Sequence, residues 1–204
     1  MKELSFNGKI FIVFDSVYEP SDDSFMAAYV ILSDCSGEFD LSVDVGSGCG
    51  LLSVLLAERS KFTVAVDVSL EAARNTKLNA KRNNVWYKMS VIVGDLLEVF
   101  KRKPIFDCMV FNPPYLPESE GDVFIPYKVR IAWSGGRDGR ALIDRFLKIF
   151  SMFLRFGGIV YLVQSSLSDL SKTLSLLSSL GFRVEVLDEK HFFYETLYLI
   201  KVVK

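Results

Sequence analysis

With 204 residues, 50% of them hydrophobic and 13% aromatic, the chain is long enough for one globular α/β domain and too apolar for a disordered one. Its 24 Lys plus Arg and 25 Asp plus Glu nearly cancel, which excludes the basic excess of a protein that binds long nucleic acid unaided, a local basic patch aside. No C-x-x-C pair joins Cys35, Cys49 and Cys108, and no apolar run nears the ~18 residues of a membrane span; the expectation is a reduced, soluble, cytoplasmic protein with no metal site and no disulfide framework.

At the amino terminus Asn7-Gly8 signals a hairpin turn between two short strands, and a helix is expected over 22–32. From there the pattern alternates. Strands over 41–46 and 62–68 flank a helix over 51–59, and a helix over about 70–82 leads to strands over about 89–94 and 104–111. The second half continues with a helix over 141–154, a break at Gly157-Gly158, a strand over 159–164 and a helix over 168–180 with Ser at its start and Gly181 past its end. Two strands near 182–188 and 196–203 are close enough to pair as a hairpin. This β-α-β rhythm, with no repeat or low-complexity linker, predicts one domain over 1–204 built on a parallel sheet, with 1–34 standing outside the alternation.

Chemistry gathers at the carboxyl ends of the predicted strands. Asp44 to Gly50 (DVGSGCG) follows a strand and opens a helix, so Gly46 and Gly48 let a ligand approach the backbone while helix-start N–H groups stay free; such turns also occur for packing alone. Asp67 ends the next strand about 20 residues on, where a carboxylate can accept both hydroxyls of a ribose; its bland reading is a helix cap, a job for which Ser69 competes. Asp95 and Leu96 end the third strand, placed to take an adenine amino group and pack on its ring, or simply to cap a loop. A phosphate loop ending in Gly-Lys-Ser/Thr is missing, which disfavours ATP.

Asn112-Pro113-Pro114-Tyr115 closes the row. Two prolines force an extended, stiff stub, so the Asn112 side-chain oxygen and the Pro113 carbonyl can both accept from one –NH2 group while the Tyr115 ring lies against a flat substrate. That suits an amide or an exocyclic base amine. Trp133 with Gly135-Gly136 reads equally as a substrate-facing loop or a lid on the core. His191, the only histidine, reads as a surface or packed residue, and Lys101 to Lys103 as a solvated turn.

The order DVGSGCG, VAVDVS, VGDLL, FNPPY resembles the class I S-adenosylmethionine-dependent methyltransferases with an N-P-P-Y site. SVYEPSDDSF (16–25) and AWSGGRDGR (132–140) are similar to the short archaeal and eukaryotic branch of the HemK-type protein-glutamine methyltransferases, which act on class I translation release factors; the likeness runs from about Val17 to ETLYLIKVV. The resemblance implies a Rossmann-like seven-stranded sheet, mostly parallel with one antiparallel strand and helices on both faces. Residues 35–204 would be the catalytic core and 1–34 an extension over the cofactor site. It implies that Ser24, Asp44, Gly46, Gly48, Asp67, Asp95, Leu96 and Asn112 contact S-adenosylmethionine. Asn112, Pro113 and Tyr115 would be catalytic, and together with Pro114 and Trp133 would hold the substrate amide. Ser24 stands where Thr is common and keeps the hydroxyl. The branch works with a small zinc-binding activator, expected here on the apolar strand 89–94, which in the fold that the resemblance implies lies at a sheet edge. Two rivals stay open: methylation of adenine or cytosine amines in DNA or RNA, and a non-catalytic cofactor-binding scaffold. Balanced charge argues against the first, and Asn112 together with Tyr115 against the second.

Overall fold

The computed structural model describes residues 1–34, 38–119 and 133–204, so Cys35 and Ala132 lie outside the described residues. Strands β1 (Lys2–Phe6) and β2 (Lys9–Val13) form the expected hairpin. Asn7 and Gly8 take φ of 49° and 74°, the left-handed pair that a two-residue turn needs to match strand twist. There follow α1 (Asp22–Asp34), β3 (Phe39–Val45), α2 (Leu51–Glu58), β4 (Ser60–Asp67), α3 (Leu70–Arg82), β5 (Met89–Val93) and β6 (Phe106–Phe111). The second half adds α4 (Ala141–Ile149), β7 (Leu154–Ser165), α5 (Leu170–Ser179), β8 (Arg183–His191) and β9 (Thr196–Val203).

Strands β3 to β9 make one seven-stranded sheet in the order β5-β4-β3-β6-β7-β9-β8, parallel except for β9, which runs antiparallel to both neighbours. Burial follows from the connections. Every residue of β6 except Asp107 is buried, as a strand covered by helices on both faces requires. Asp107 is satisfied by the Leu41 N–H at 2.9 Å and Arg155 at 2.8 Å. One face packs α1, α2, α3 and the hairpin through Phe11, Ile31, Leu55 and Leu56. The other is rich in phenylalanine: Phe111, Phe146 and Phe150 stack in series at centroid distances of 4.6 and 5.4 Å. That stack fixes the residue immediately before Asn112. Because the chain leaves β5 at the edge and returns to place β6 beside β3, the strand order reverses between β3 and β6, the place where open sheets of this kind bind ligands.

Beyond shifts of a residue or two at other element ends, three departures from the sequence pattern have a local cause. The helix from Ala141 stops at Ile149, passes through a 3-10 turn at Phe150–Met152, and β7 begins at Leu154 with the glycine pair inside it. The Phe153 carbonyl accepts both the Ile105 and Phe106 N–H groups, at 2.9 and 3.0 Å, which draws the chain into the sheet early; a register shift between Phe106 and Cys108 absorbs the extra residues. The cap of α5 is Asp169, whose carboxylate accepts from the Lys172 N–H at 3.0 Å, since the Ser168 hydroxyl is spent on the Ser165 carbonyl at 2.9 Å. Finally, β8 runs on to His191, which is exposed and meets Thr196 Oγ1 across the turn at 3.0 Å, in keeping with its bland reading.

Candidate active site

A cleft of about 400 Å³ opens at the carboxyl ends of β3, β4, β5 and β6, within the range of small-molecule sites. Gly46, Gly48, Asp67, Asp95, Leu96, Asn112, Pro114 and Ser24 line it. Asp44, Pro113, Tyr115 and Trp133 do not; they stand behind or beside the lining.

The glycine turn works as its backbone predicts. Gly46, Gly48 and Gly50 all have positive φ, and among the described residues a Cβ built on Gly48 would meet nothing within 4 Å, so the turn leaves open space on its outer side. Beneath it Asp44 is buried, and Ser53 Oγ donates to its Oδ2 while Oδ1 has no partner among the described residues. Burial pushes this carboxyl up to about 7. Cys49, buried within the turn, is pushed up to about 12 for the same reason and is an inert thiol.

Asp67 serves two masters. Its Oδ2 accepts the Gly48 N–H at 2.9 Å and its Oδ1 the Ser69 N–H at 2.8 Å, while Ser69 caps α3 by accepting from Ala72 N–H. Each carboxylate oxygen keeps a further lone pair for a ligand. Burial raises this carboxyl, and the two backbone donors oppose the rise. Asp95 pairs with Arg145 at 2.8 Å, and Arg145 also lines the cleft. Leu96 holds φ of 49°, so its placement over the cleft is a constrained one.

At Asn112 the structure adds a residue that the strand-end pattern did not single out. Asp23, in the first turn of α1 and only 4% exposed, gathers five donors among the described residues. They are the Ser24 N–H (2.6 Å) and hydroxyl (3.1 Å), the Tyr18 hydroxyl (3.2 Å), the Tyr115 hydroxyl (3.3 Å) and Asn112 Nδ2 (3.0 Å). Since only the amide nitrogen can face a carboxylate, the orientation of Asn112 is fixed, and its Oδ1 is left buried with no partner among the described residues. Burial first, then the Asp23 charge, raises the phenols of Tyr115 and Tyr18 so that both remain neutral donors.

The loop behind is braced by the segment from Trp133. Leu116 N–H donates to the Trp133 carbonyl at 3.1 Å and Gly135 N–H to the Leu116 carbonyl at 2.9 Å. Gly139 has φ of 72°, and a Cβ there would lie 2.3 Å from the Tyr115 carbonyl, so only glycine fits against the N-P-P-Y stub. Arg140, 2% exposed, donates to Asp144, the Ser168 and Asp169 carbonyls and Thr173, tying this brace to α5.

Comparison with known proteins decides the family. The methyltransferase small domain matches residues 26–127, half of the chain. A candidate protein N5-glutamine methyltransferase of Methanocaldococcus jannaschii is 38% identical over 171 residues, covering 83% of each chain. Human Methyltransferase HEMK2 is 30% identical over 202 residues, 94% of this chain and 91% of that one. The chain belongs to the HemK-type methyltransferases. The E. cuniculi Mtq2-Trm112 complex, responsible for methylation of the eRF1 translation termination factor, matches with TM-score 0.66 and 26% identity over 93% of this chain and 99% of the other. Methanocaldococcus jannaschii Trm5 in complex with adenosine shares the fold, with TM-score 0.70 at 18% identity over 98% of this chain and 55% of that one.

HemK-type enzymes use S-adenosylmethionine, and the cleft fits it: an open glycine turn at one end, a carboxylate with spare acceptor capacity at the end of β4, and an apolar floor at Leu96 and Phe111. Among the described residues no group of His, Cys, Asp or Glu is placed to hold a metal ion, and no helix is long and apolar enough to cross a membrane.

Proposed function

We propose that this enzyme methylates the side-chain amide nitrogen of a glutamine, the one in the Gly-Gly-Gln loop of a class I translation release factor, in the cytoplasm. The observation that supports this is the arrangement at Asn112: a clamped amide whose buried Oδ1 lacks, among the described residues, the N–H partner that an incoming –NH2 would supply. In this reading Asp67 holds the ribose, Asp95 and Leu96 the adenine, and Ser24, Gly46 and Gly48 surround the methionine end, with Asp44 beneath the turn. Residues 1–34 form a roof over the cofactor within a single domain, since Ser16, Val17, Tyr18 and Pro20 line the cleft.

When bound, S-adenosylmethionine supplies an electrophilic methyl group. The residues must then make a poor nucleophile effective, because an amide lone pair is delocalised. Asn112 Oδ1 and the Pro113 carbonyl accept the two N–H groups, orient the nitrogen for in-line attack and stabilise the positive charge that grows on it. Asp23 strengthens Asn112 as an acceptor, since a carboxylate on Nδ2 polarises the amide toward its oxygen. Tyr115 and Trp133 flank the substrate amide. The proton leaves to solvent after transfer.

A partner is proposed as well. The sheet has two edges, and they are guarded differently. β8 carries Arg183, Glu185, Asp188, Glu189 and Lys190 and a register shift between Val186 and Asp188, both known protections of an edge. β5 (MSVIV) carries no charge, with Val93 49% and the preceding Tyr87 80% exposed. A small zinc-binding activator pairing with β5 by strand addition would cover it. The fold of E. cuniculi Mtq2, solved with Trm112, is consistent with such a subunit.

The test is incubation of the enzyme, with and without the activator, with methyl-labelled S-adenosylmethionine and, separately, release factor, DNA and RNA. Label should enter the release factor alone and vanish when the loop glutamine is replaced. Label in nucleic acid, or label that survives the replacement, would refute the substrate.

A further inference from the structure

Helix α3 carries a polar stripe on a face that helices usually make apolar. Asn75, Thr76 and Asn79 are 0% exposed, and Asn83 continues the row one turn on. Three of these side chains form a ladder along the open edge of β2. The N–H groups of Phe14, Ile12 and Ile10 donate to Oδ1 of Asn75, Asn79 and Asn83 at 2.9, 2.8 and 3.2 Å. In return, Nδ2 of Asn75 and Asn79 donates to the Ile12 carbonyl at 2.6 and 2.7 Å, and Nδ2 of Asn83 to the Ile10 carbonyl at 2.9 Å. The match is one of lengths. Four residues of helix advance about 6 Å and two of strand about 6.6 to 6.8 Å, so asparagines spaced by four meet alternate strand residues. A helix here provides the pairing that a lone hairpin lacks.

The same stripe also grips the glycine turn. Thr76 Oγ1 donates to the Gly48 carbonyl at 3.0 Å and Asn79 Nδ2 to the Cys49 carbonyl at 2.8 Å. Contact is close enough that a Cβ on Gly50 would lie 2.9 Å from Thr76 Cα. Of the four side chains, Asn79 is the one that bonds both partners. Its two amide hydrogens go to Ile12 and Cys49, and its oxygen takes the Ile12 N–H. Beyond Ile12 the chain runs through Ser16, Val17 and Tyr18 on the cleft wall to Asp23 and Ser24 at Asn112.

We infer that Asn79 is a positioning residue for the cofactor, tying the roof over 16–24 to the glycine turn so that both sides of the cleft close on one ligand as a unit. The inference rests on the assignment of this cleft to S-adenosylmethionine and adds a residue that lines no part of it yet sets its affinity. The test combines calorimetric titration with hydrogen exchange at the Ile12 and Phe14 amides. In the wild type, S-adenosylmethionine should slow exchange at both amides by about tenfold or more. Asn79→Ala should abolish that slowing and weaken cofactor binding by about tenfold or more, while kcat at saturating cofactor stays within about twofold. Asn83→Ala, which loosens only the outer end of the ladder, should leave cofactor affinity within about twofold. Wild-type affinity in a folded Asn79→Ala variant overturns the inference. So does unchanged exchange at Ile12 and Phe14 in a wild type that binds the cofactor, a result that needs no variant and holds even where Asn79→Ala does not fold. Failure of the wild type to bind S-adenosylmethionine would instead strike the cleft assignment itself.

Discussion

Asn112→Ala separates fold from chemistry because the structure says what each half of the amide does. The variant removes donation from Nδ2 to Asp23 at 3.0 Å and Ser24 Oγ at 3.4 Å, but Asp23 keeps four donors from Ser24, Tyr18 and Tyr115. The lost bond costs about 1.5 to 3 kcal/mol, and the buried, unpartnered Oδ1 that disappears with it returns about 1 to 3 kcal/mol, so stability should barely move. Turnover has no such compensation. Loss of one preorganised group facing developing charge costs about 10²- to 10³-fold in kcat, or roughly 2.7 to 4 kcal/mol. Single-turnover transfer of labelled methyl at saturating cofactor measures the loss, and titration should find cofactor affinity largely spared. A companion variant sharpens the test. Asn112→Asp would set two carboxyls together at Asp23, where one must hold a proton. Below the raised pKa of that pair the acid O–H would face Asp23 and its C=O the substrate, imitating the native amide, so activity should rise as pH falls. A folded Asn112→Ala variant with turnover within about tenfold of wild type would refute the mechanism.

Asp67→Ala should weaken S-adenosylmethionine binding through loss of hydrogen bonds to a charged acceptor, about 1.5 to 3 kcal/mol each before compensation; unchanged affinity by calorimetry in a folded variant would remove Asp67 from the site. Asp44 is pushed from 3.8 to about 7 in the folded state, so the native protein binds the extra proton between those values and its stability should decline as pH rises through that window and level off above it. Asp44→Asn should flatten the profile in thermal melts from pH 5 to 8, and a variant that retains the slope would show that another group causes it. At the β5 edge, Val91 and Ile92 pack partly against the core, whereas Val93 and Tyr87 are open, so Val93→Lys with Tyr87→Glu should block the activator complex without unfolding the enzyme. Undiminished co-purification would place the partner elsewhere.

The sheet was readable because parallel strands buried on both faces write themselves as apolar runs, and the strand-end residues that line the cleft because it opens where those runs stop. The early start of β7 was hidden. Gly157-Gly158 is a strong local break signal, and the bonds from Phe153 to Ile105 and Phe106 that override it join residues almost 50 positions apart. Asp23 was hidden for another reason. Beside Asp22 it reads as an ordinary acidic first turn, favourable to any helix dipole, and only the approach of Asn112 and Tyr115 gives it a task. The role of Asn75, Asn79 and Asn83 was hidden as well, because their partner is a strand more than 60 residues earlier.

The antiparallel strand has a consequence for synthesis. Because β9 is inserted between β7 and β8 yet follows both in the chain, the interior of the sheet is completed only after the other strands of the sheet have been made. Until 196–203 emerge, β7 has one unpaired side, and Val160, Leu162 and Val163 are apolar strand positions exposed at a growing edge. A ribosome stalled or a message cut shortly before that point would release a nascent domain with most of its cofactor pocket encoded but its sheet open, a natural substrate for chaperones and quality-control proteases rather than a slow enzyme.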